Sequence, residues 1–368
     1  MNVIAWLLDS DPAIRWQVMR DLTDAPAAEV AAERARVTHE GWGAQLLGLQ
    51  PADGVWGGGA YFPEWTSTTP TLQLLRAFGL DPTTEGARRA LGLVRANAKW
   101  EYDDLPYFDG EVEPCINGQA VAIGAYFGQD VRVIVDRLLT EQMDDGGWNC
   151  EQERGSTRGS FETTIDVLEG LLEYERATGG EPKVAAARRR GEKYFLERRL
   201  LHRLSSGELA QPRWLYLAFP NGWHYDVLRV LDYLRDAGVA PDERMAEAIG
   251  ILESKRDAEG RWPLEHAHHD ELAVDMGERE DEPSRWITLK ALRVLRWWEQ
   301  RDPRPNGGRE LLLVALEYHT GNSAAAIERG EKVLARGENA EIKALVDLAR
   351  QALAEQARKH LPGVKKGP

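Results

Sequence analysis

The sequence predicts an all-α fold, an (α/α)6 toroid of inner and outer helices with an additional C-terminal helical hairpin. Three observations carry this. A Gly-rich turn bearing a tryptophan recurs three times, as LQPADGVWGGG (Leu49–Gly59), EQMDDGGWNC (Glu141–Cys150) and KRDAEGRWPL (Lys255–Leu264). Helix signals fall in pairs whose first members begin near residues 12, 70, 114, 160, 222 and 284. No strand-type alternation runs long enough to build a sheet. A unit repeated at this spacing cannot bury its apolar face alone, so the repeats must stack on one another.

The first pair is Pro12–Leu22 and Pro26–Thr38, each opening with proline at the first helical position, where its missing N–H costs nothing. After the Trp56 turn, Pro70–Phe78 is apolar and stopped by Gly79, and Thr84–Asn97 is polar on one side. Cys115–Phe127 is apolar and stopped by Gly128, and Asp130–Gln142 is amphipathic. Past Trp148, Phe161–Tyr174 sets Phe161, Ile165, Leu168, Leu171 and Leu172 on one helical stripe, and the charged Glu181–Leu201 follows. Gly222–Arg235 is apolar and Asp242–Ser254 amphipathic. Pro283 and Ser284 open a Trp-rich helix to Trp298, paired with Glu310–Tyr318. The first helix of each pair is the more apolar, which places it inside, and the second carries the charge, which places it outside. Residues 1–320 therefore read as the toroid. Residues 321–368 read as a helical extension, with Ser323–Arg336 and Asn339–Lys359 as a hairpin packed on the ring or offered to a protein partner, and a disordered tail at Pro362–Pro368.

Composition excludes several functions. A net charge of −14 provides no basic stripe for nucleic acid. No window approaches the roughly 18 continuous apolar residues of a membrane span. The N-terminal stretch has no basic leader and no small-residue cleavage site, which predicts a cytoplasmic protein. Two cysteines make no disulfide framework and read as reduced thiols. Gly57–Gly59 is not followed by Lys-Ser/Thr, so it is no phosphate loop.

The turns resemble the Gln-Trp and Gly-Gly-aromatic repeats of the squalene cyclase and protein prenyltransferase β-subunit superfamily, the terpenoid cyclase-like toroids. Gln50, Gly54 and Trp56 match, as do Gln142, Gly146, Gly147 and Trp148; Gly260 and Trp262 match without the glutamine. The resemblance covers roughly residues 1–300, with Leu49–Leu80 similar throughout to one prenyltransferase repeat. It implies a toroid whose turn tryptophans either pack repeats together or face a ligand. It also implies one of two chemistries acting on an apolar or isoprenoid-like small molecule. The cyclase chemistry needs an Asp-x-Asp-Asp acid, which this chain lacks. Glu101-Tyr102-Asp103-Asp104 comes nearest and reads as a charged loop. The prenyltransferase chemistry needs zinc held by Asp-x-Cys at one inner-helix start and His at the next. Here Glu113-Pro114-Cys115 fills the first slot with Glu for Asp, and Glu162 stands where the family has His.

The starts of inner helices share one rim of a toroid, so Cys150, two residues past Trp148, and His224 are candidate metal ligands beside Cys115. The other reading of the cysteines is as packing residues, and of His224 as a helix cap. Glu113, Glu162 and Asp226 are the candidate catalytic carboxylates, and Trp65, Asp109, Tyr225 and Trp286 the candidate substrate contacts. A carboxyl in an apolar cavity acquires a raised pKa and can serve as an acid. Two other functions fit the same fold. One is a carbohydrate-active enzyme drawing a carboxylate pair from Glu64, Asp109, Glu113 and Glu162. The other is a non-catalytic binding ring. His266, His268, His269 and Asp270 lie in a long acidic loop, Pro263–Pro283, read either as solvated or as a lid over the cavity mouth.

Overall fold

The computed structural model of the chain describes residues 2–268, 271–299, 314, 322–334 and 340–359. The fold is all-α. The chain divides into two compact units, Met1–Trp298 and Glu299–Pro368.

In the first unit the helices are α1 (Val3–Leu8), α2 (Pro12–Leu22), α3 (Ala27–Ala35), α4 (Gly41–Gly48), α5 (Thr68–Phe78), α6 (Glu85–Asn97), α7 (Pro114–Tyr126), α8 (Arg132–Thr140), α9 (Phe161–Thr178), α10 (Pro182–Glu197), α11 (Val227–Asp236), α12 (Ala246–Ser254) and α13 (Arg285–Glu299). Asp11, Thr84, Ser160 and Asp226 cap α2, α6, α9 and α11 by accepting backbone N–H groups that helix starts leave open. Gly79 and Gly179, at φ 81° and 80°, end α5 and α9 in the left-handed region that a side chain resists. Two helices, α1 and α4, were not foreseen from the sequence. Helix α11 begins at Val227 rather than Gly222, because the Asp226 cap sets its start. The strand content among the described residues is the pair β1 (Trp262–Pro263) and β2 (Pro283–Ser284), with four isolated bridges.

The recurrent turn has one geometry in all three places. Trp56, Trp148 and Trp262 each donate the indole N–H to a leucine carbonyl ten residues earlier, Leu46, Leu138 and Leu252, at 3.0, 2.7 and 2.6 Å. Those leucines end α4, α8 and α12, so α4 is the outer helix of the first turn. Gln50 and Gln142 each bridge their own turn to the next outer helix, donating to Gly54 and Ala90, and to Gly146 and Ala187. The three indoles are at most 2% exposed. Burying each contributes roughly 5 kcal/mol of gross transfer free energy, taking an aromatic of about 200 Å² at about 25 cal/mol per Å². With the N–H satisfied and the faces covered, these tryptophans hold repeats together and have no surface for a ligand.

The inner helices touch in a closed circuit. Trp16 and Gln17 of α2 donate to Phe78 and Ala77 of α5. Helix α5 packs on α7. Helices α7 and α9 cross at Gly118 and Gly170: a Cβ at Gly118 would lie 2.6 Å from the Asp166 carbonyl, and one at Gly170 would lie 2.4 Å from the Gly118 oxygen. Arg229 of α11 reaches Asp166 of α9, Arg293 of α13 reaches Asp232 of α11, and Arg293 also donates to Gln17 of α2. The sixth outer helix expected at Glu310–Tyr318 falls outside the described residues apart from Val314, and the Pro362–Pro368 tail falls outside them entirely.

In the second unit, α14 (Ser323–Leu334) and α15 (Ala340–Lys359) pack on each other as a hairpin around Ala326, Ile342, Val346 and Ala349. Gly330 allows the approach, since a Cβ there would meet Val346 at 2.1 Å.

Candidate functional site

The loop before α7 is tightly fixed. Asn117 accepts from the Glu111 N–H and donates to the Glu111 carbonyl, both at 2.7 Å, and Arg137 donates to the Glu111 and Val112 carbonyls. Glu113 is thereby held at the start of α7, its own N–H donated to the Glu111 side chain. Beyond Trp148 the chain is pinned to the start of α9, with the Trp148 N–H on Thr164 and the Ser160 N–H on the Trp148 carbonyl. Cys150 leaves this fixed point and meets Cys115, Sγ to Sγ 2.9 Å. Cys150 also contacts the Thr163 hydroxyl at 3.4 Å, and Cys115 contacts Glu113 Oε2 at 3.5 Å. One donor atom from each of Glu113, Cys115 and Cys150 lies within 4.8 Å of the others, a group that could hold a metal ion.

The two thiols are shifted in opposite directions. The hydrogen bond to Cys150, then burial, raises Cys115, while the hydrogen bond from Cys115 lowers Cys150. Cys150 is thus the readier thiolate, with the amino ends of α7 and α9 both beside the pair.

The remaining predicted residues do not join this group. Glu162 is held by Arg213 at 2.7 Å and also accepts from Trp214, so it does not replace the missing histidine. Asp226 is 2% exposed and accepts from the N–H groups of Arg229 and Ala218 and from the Asn221 amide, which makes it a helix cap rather than a free acid. Tyr225 is core: its hydroxyl donates to the Leu200 carbonyl and its ring packs on Phe161, Phe195 and Trp214. Asp109 is exposed in a short turn. Glu64 accepts from Trp223. His224 is no ligand to the cysteines. Its ring stacks between neighbours, 3.8 Å from Trp223 and 3.7 Å from His268, while His266 pairs with Glu280. His269 and Asp270 lie outside the described residues.

His224 carries a pH prediction. Burial first, then Arg213, Arg229 and His266, lower its pKa from 6.5 to about 4. A base depressed in the folded state leaves the unfolded chain binding the extra proton between those values. Stability is therefore fully present above pH about 6.5 and is lost as pH falls towards about 4. Urea unfolding of wild type and His224→Gln across this range should give a shallower pH slope for the variant. Parallel profiles would refute the assignment.

A second feature was missed from sequence. A central cavity of about 290 Å³ is lined by residues of α2, α5, α7, α9, α11 and α13 and of the loops beside Trp65 and Phe219. The inner helices were expected to be apolar on most sides, yet seven cations (Arg20, Arg76, Arg176, Arg229, Arg235, Lys290, Arg293) face this cavity with four carboxylates (Glu169, Glu173, Asp232, Asp236). Trp65 and Trp286, the predicted aromatic contacts, do line it. The signal was present as a second stripe at helical spacing, Glu169, Glu173 and Arg176 on α9, and Arg229, Asp232 and Asp236 on α11.

No helix among the described residues is long and apolar enough to cross a membrane. The sequence matches no protein-family model and no curated protein.

Proposed function

We propose that the first unit is a zinc-dependent enzyme acting on a small molecule, with Glu113, Cys115 and Cys150 as its metal ligands. The observation that carries this is the convergence of those three donor atoms from residues far apart in sequence. Two thiolates and a carboxylate form a zinc donor set. Zinc–sulfur bonds of about 2.3 Å in a tetrahedron set sulfurs about 3.7 Å apart, so the two thiols must separate by less than about 1 Å, a side-chain adjustment. Held by these three residues, zinc would keep a fourth position for a water, whose pKa it would lower, or for a substrate thiolate.

The protein's own contribution is to place the ligands. Asn117 and Arg137 fix the segment carrying Glu113. Thr163 orients Cys150, and the exposed Glu113 side chain is free to close on an ion. The isoprenoid-like substrate rests on the resemblance alone, since none of Glu113, Cys115 and Cys150 lines the cavity that holds Trp65, Phe219 and Trp286. The paired-carboxylate reading loses Glu162 to Arg213, and nothing favours it.

Elemental analysis of protein purified without chelator should find stoichiometric zinc in wild type, lost in both Cys115→Ala and Cys150→Ala and weakened in Glu113→Ala. Wild-type protein that holds no zinc and takes none up on titration would overturn the proposal.

A further inference from the structure

The charged cavity has none of Glu113, Cys115 and Cys150 in its wall, and most of its cations are held in ion pairs. Arg76 lies on Glu173, Arg229 on Glu169, Arg176 on Asp236, Arg235 on Asp232, Arg293 on Asp232 and Asp21, and Arg20 on Asp21. Six of the seven cations on the wall are thus answered by a carboxylate. Lys290 is the exception. Among the described residues it has no carboxylate within 4 Å, and its ammonium lies over the Phe219 ring, 5.5 Å from the centroid. Phe219 is itself stacked on Trp286, centroids 4.4 Å apart and planes at 20°.

The wall as a whole carries seven cations against four carboxylates. An uncharged molecule would leave the ammonium of Lys290 unanswered. We propose that this cavity binds a small organic anion, a carboxylate or a phosphate, with Lys290 as its counter-charge and the Trp286–Phe219 stack as its flat wall.

The volume of about 290 Å³ limits the ligand to a small one, since small-molecule pockets span roughly 300–1,000 Å³. The other six cations are already engaged in ion pairs, sharing Asp21, Glu169, Glu173, Asp232 and Asp236. Burial also pulls the Lys290 pKa below that of an ordinary lysine, with Asp232 and Asp226 opposing it from further away. A bound anion relieves that penalty.

The test uses the intact chain and two probes, inorganic phosphate and citrate, titrated against chloride at matched ionic strength and followed by tryptophan fluorescence and thermal unfolding. Saturable binding of either probe by wild type is expected, the stronger one naming the anion class. In Lys290→Met, similar in length and apolar, affinity should fall about tenfold to a hundredfold, the range for losing a charged hydrogen bond. A measurement on wild type covers a variant that folds poorly. Acetylation of Lys290 by acetic anhydride, mapped by peptide mass spectrometry, should slow in the presence of the probe, while exposed Lys193 reacts unchanged. Zinc-stripped protein and Cys115→Ala should bind the anion as wild type does, so failure of the zinc proposal leaves this one standing. Absence of saturable binding by both probes, equal affinity in Lys290→Met, or unprotected Lys290 would overturn it.

Discussion

Replacing Arg229 with methionine should destabilise the first unit by roughly 3–5 kcal/mol, the loss seen when one partner of a buried ion pair is removed. Arg229 is 4% exposed and spans three elements. Its Nη2 meets Asp166 and Glu169 at 2.7 and 2.8 Å, its Nε meets Glu169 at 2.9 Å, and its Nη1 donates to the His224 and Gly222 carbonyls. Burial drives both carboxyls upward, and the outcome differs between them. For Glu169 the charge and hydrogen bonds of Arg229, with Arg76, overcome burial and hold it below the usual range. For Asp166 burial wins, and its carboxyl sits well above that range.

Methionine would leave both acids without their cation and two carbonyls without a donor. The effect should therefore exceed that of a cavity of the same size. Urea unfolding measures the loss, and Glu169→Gln placed on top of Arg229→Met should restore part of it by removing the orphaned charge. A loss under about 1 kcal/mol would show that water or Arg76 replaces Arg229, and that the network is not what joins α9 to α11.

The sequence revealed the turns because their signal is local. Gly54, Gly146 and Gly260 need positive φ, at 84°, 89° and 83°, and the tryptophan stands at a fixed distance from the helix it caps. The cysteine encounter was legible only through that register, since Cys115 and Cys150 are brought together by where α7 and α9 begin. His224, Tyr225 and Asp226 were misassigned for a different reason. Their residue types suit catalysis, but a cap, a core ring and a stacked imidazole use the same types. The charged stripe escaped because a single inner helix shows only half of each pair. Arg229 looks like a surface residue until Glu169, sixty positions earlier, is placed opposite it.

The thiol site depends on how closely α7 and α9 cross, and Gly118→Ala should show this. The added methyl would fall 2.6 Å from backbone atoms of Asp166 and Val167, which cannot rotate away as a side chain could. The helices must part, at a cost near the upper end of the roughly 1–3 kcal/mol of overpacked cores. Gly170 faces the same crossing from α9, so Gly170→Ala should behave alike, and the double variant should lose less than the sum because the helices part only once. Cys115 lies one turn before Gly118, and Cys150 is held against α9 through Thr163. Parting the helices should therefore carry the two sulfurs from contact. A trivalent arsenical needs both thiols at once, whereas iodoacetamide needs only one. Wild type should be captured by the arsenical, and Gly118→Ala should lose that capture while both cysteines still alkylate. If the arsenical holds both proteins equally well while stability falls, the crossing supports the fold without setting the distance between the thiols.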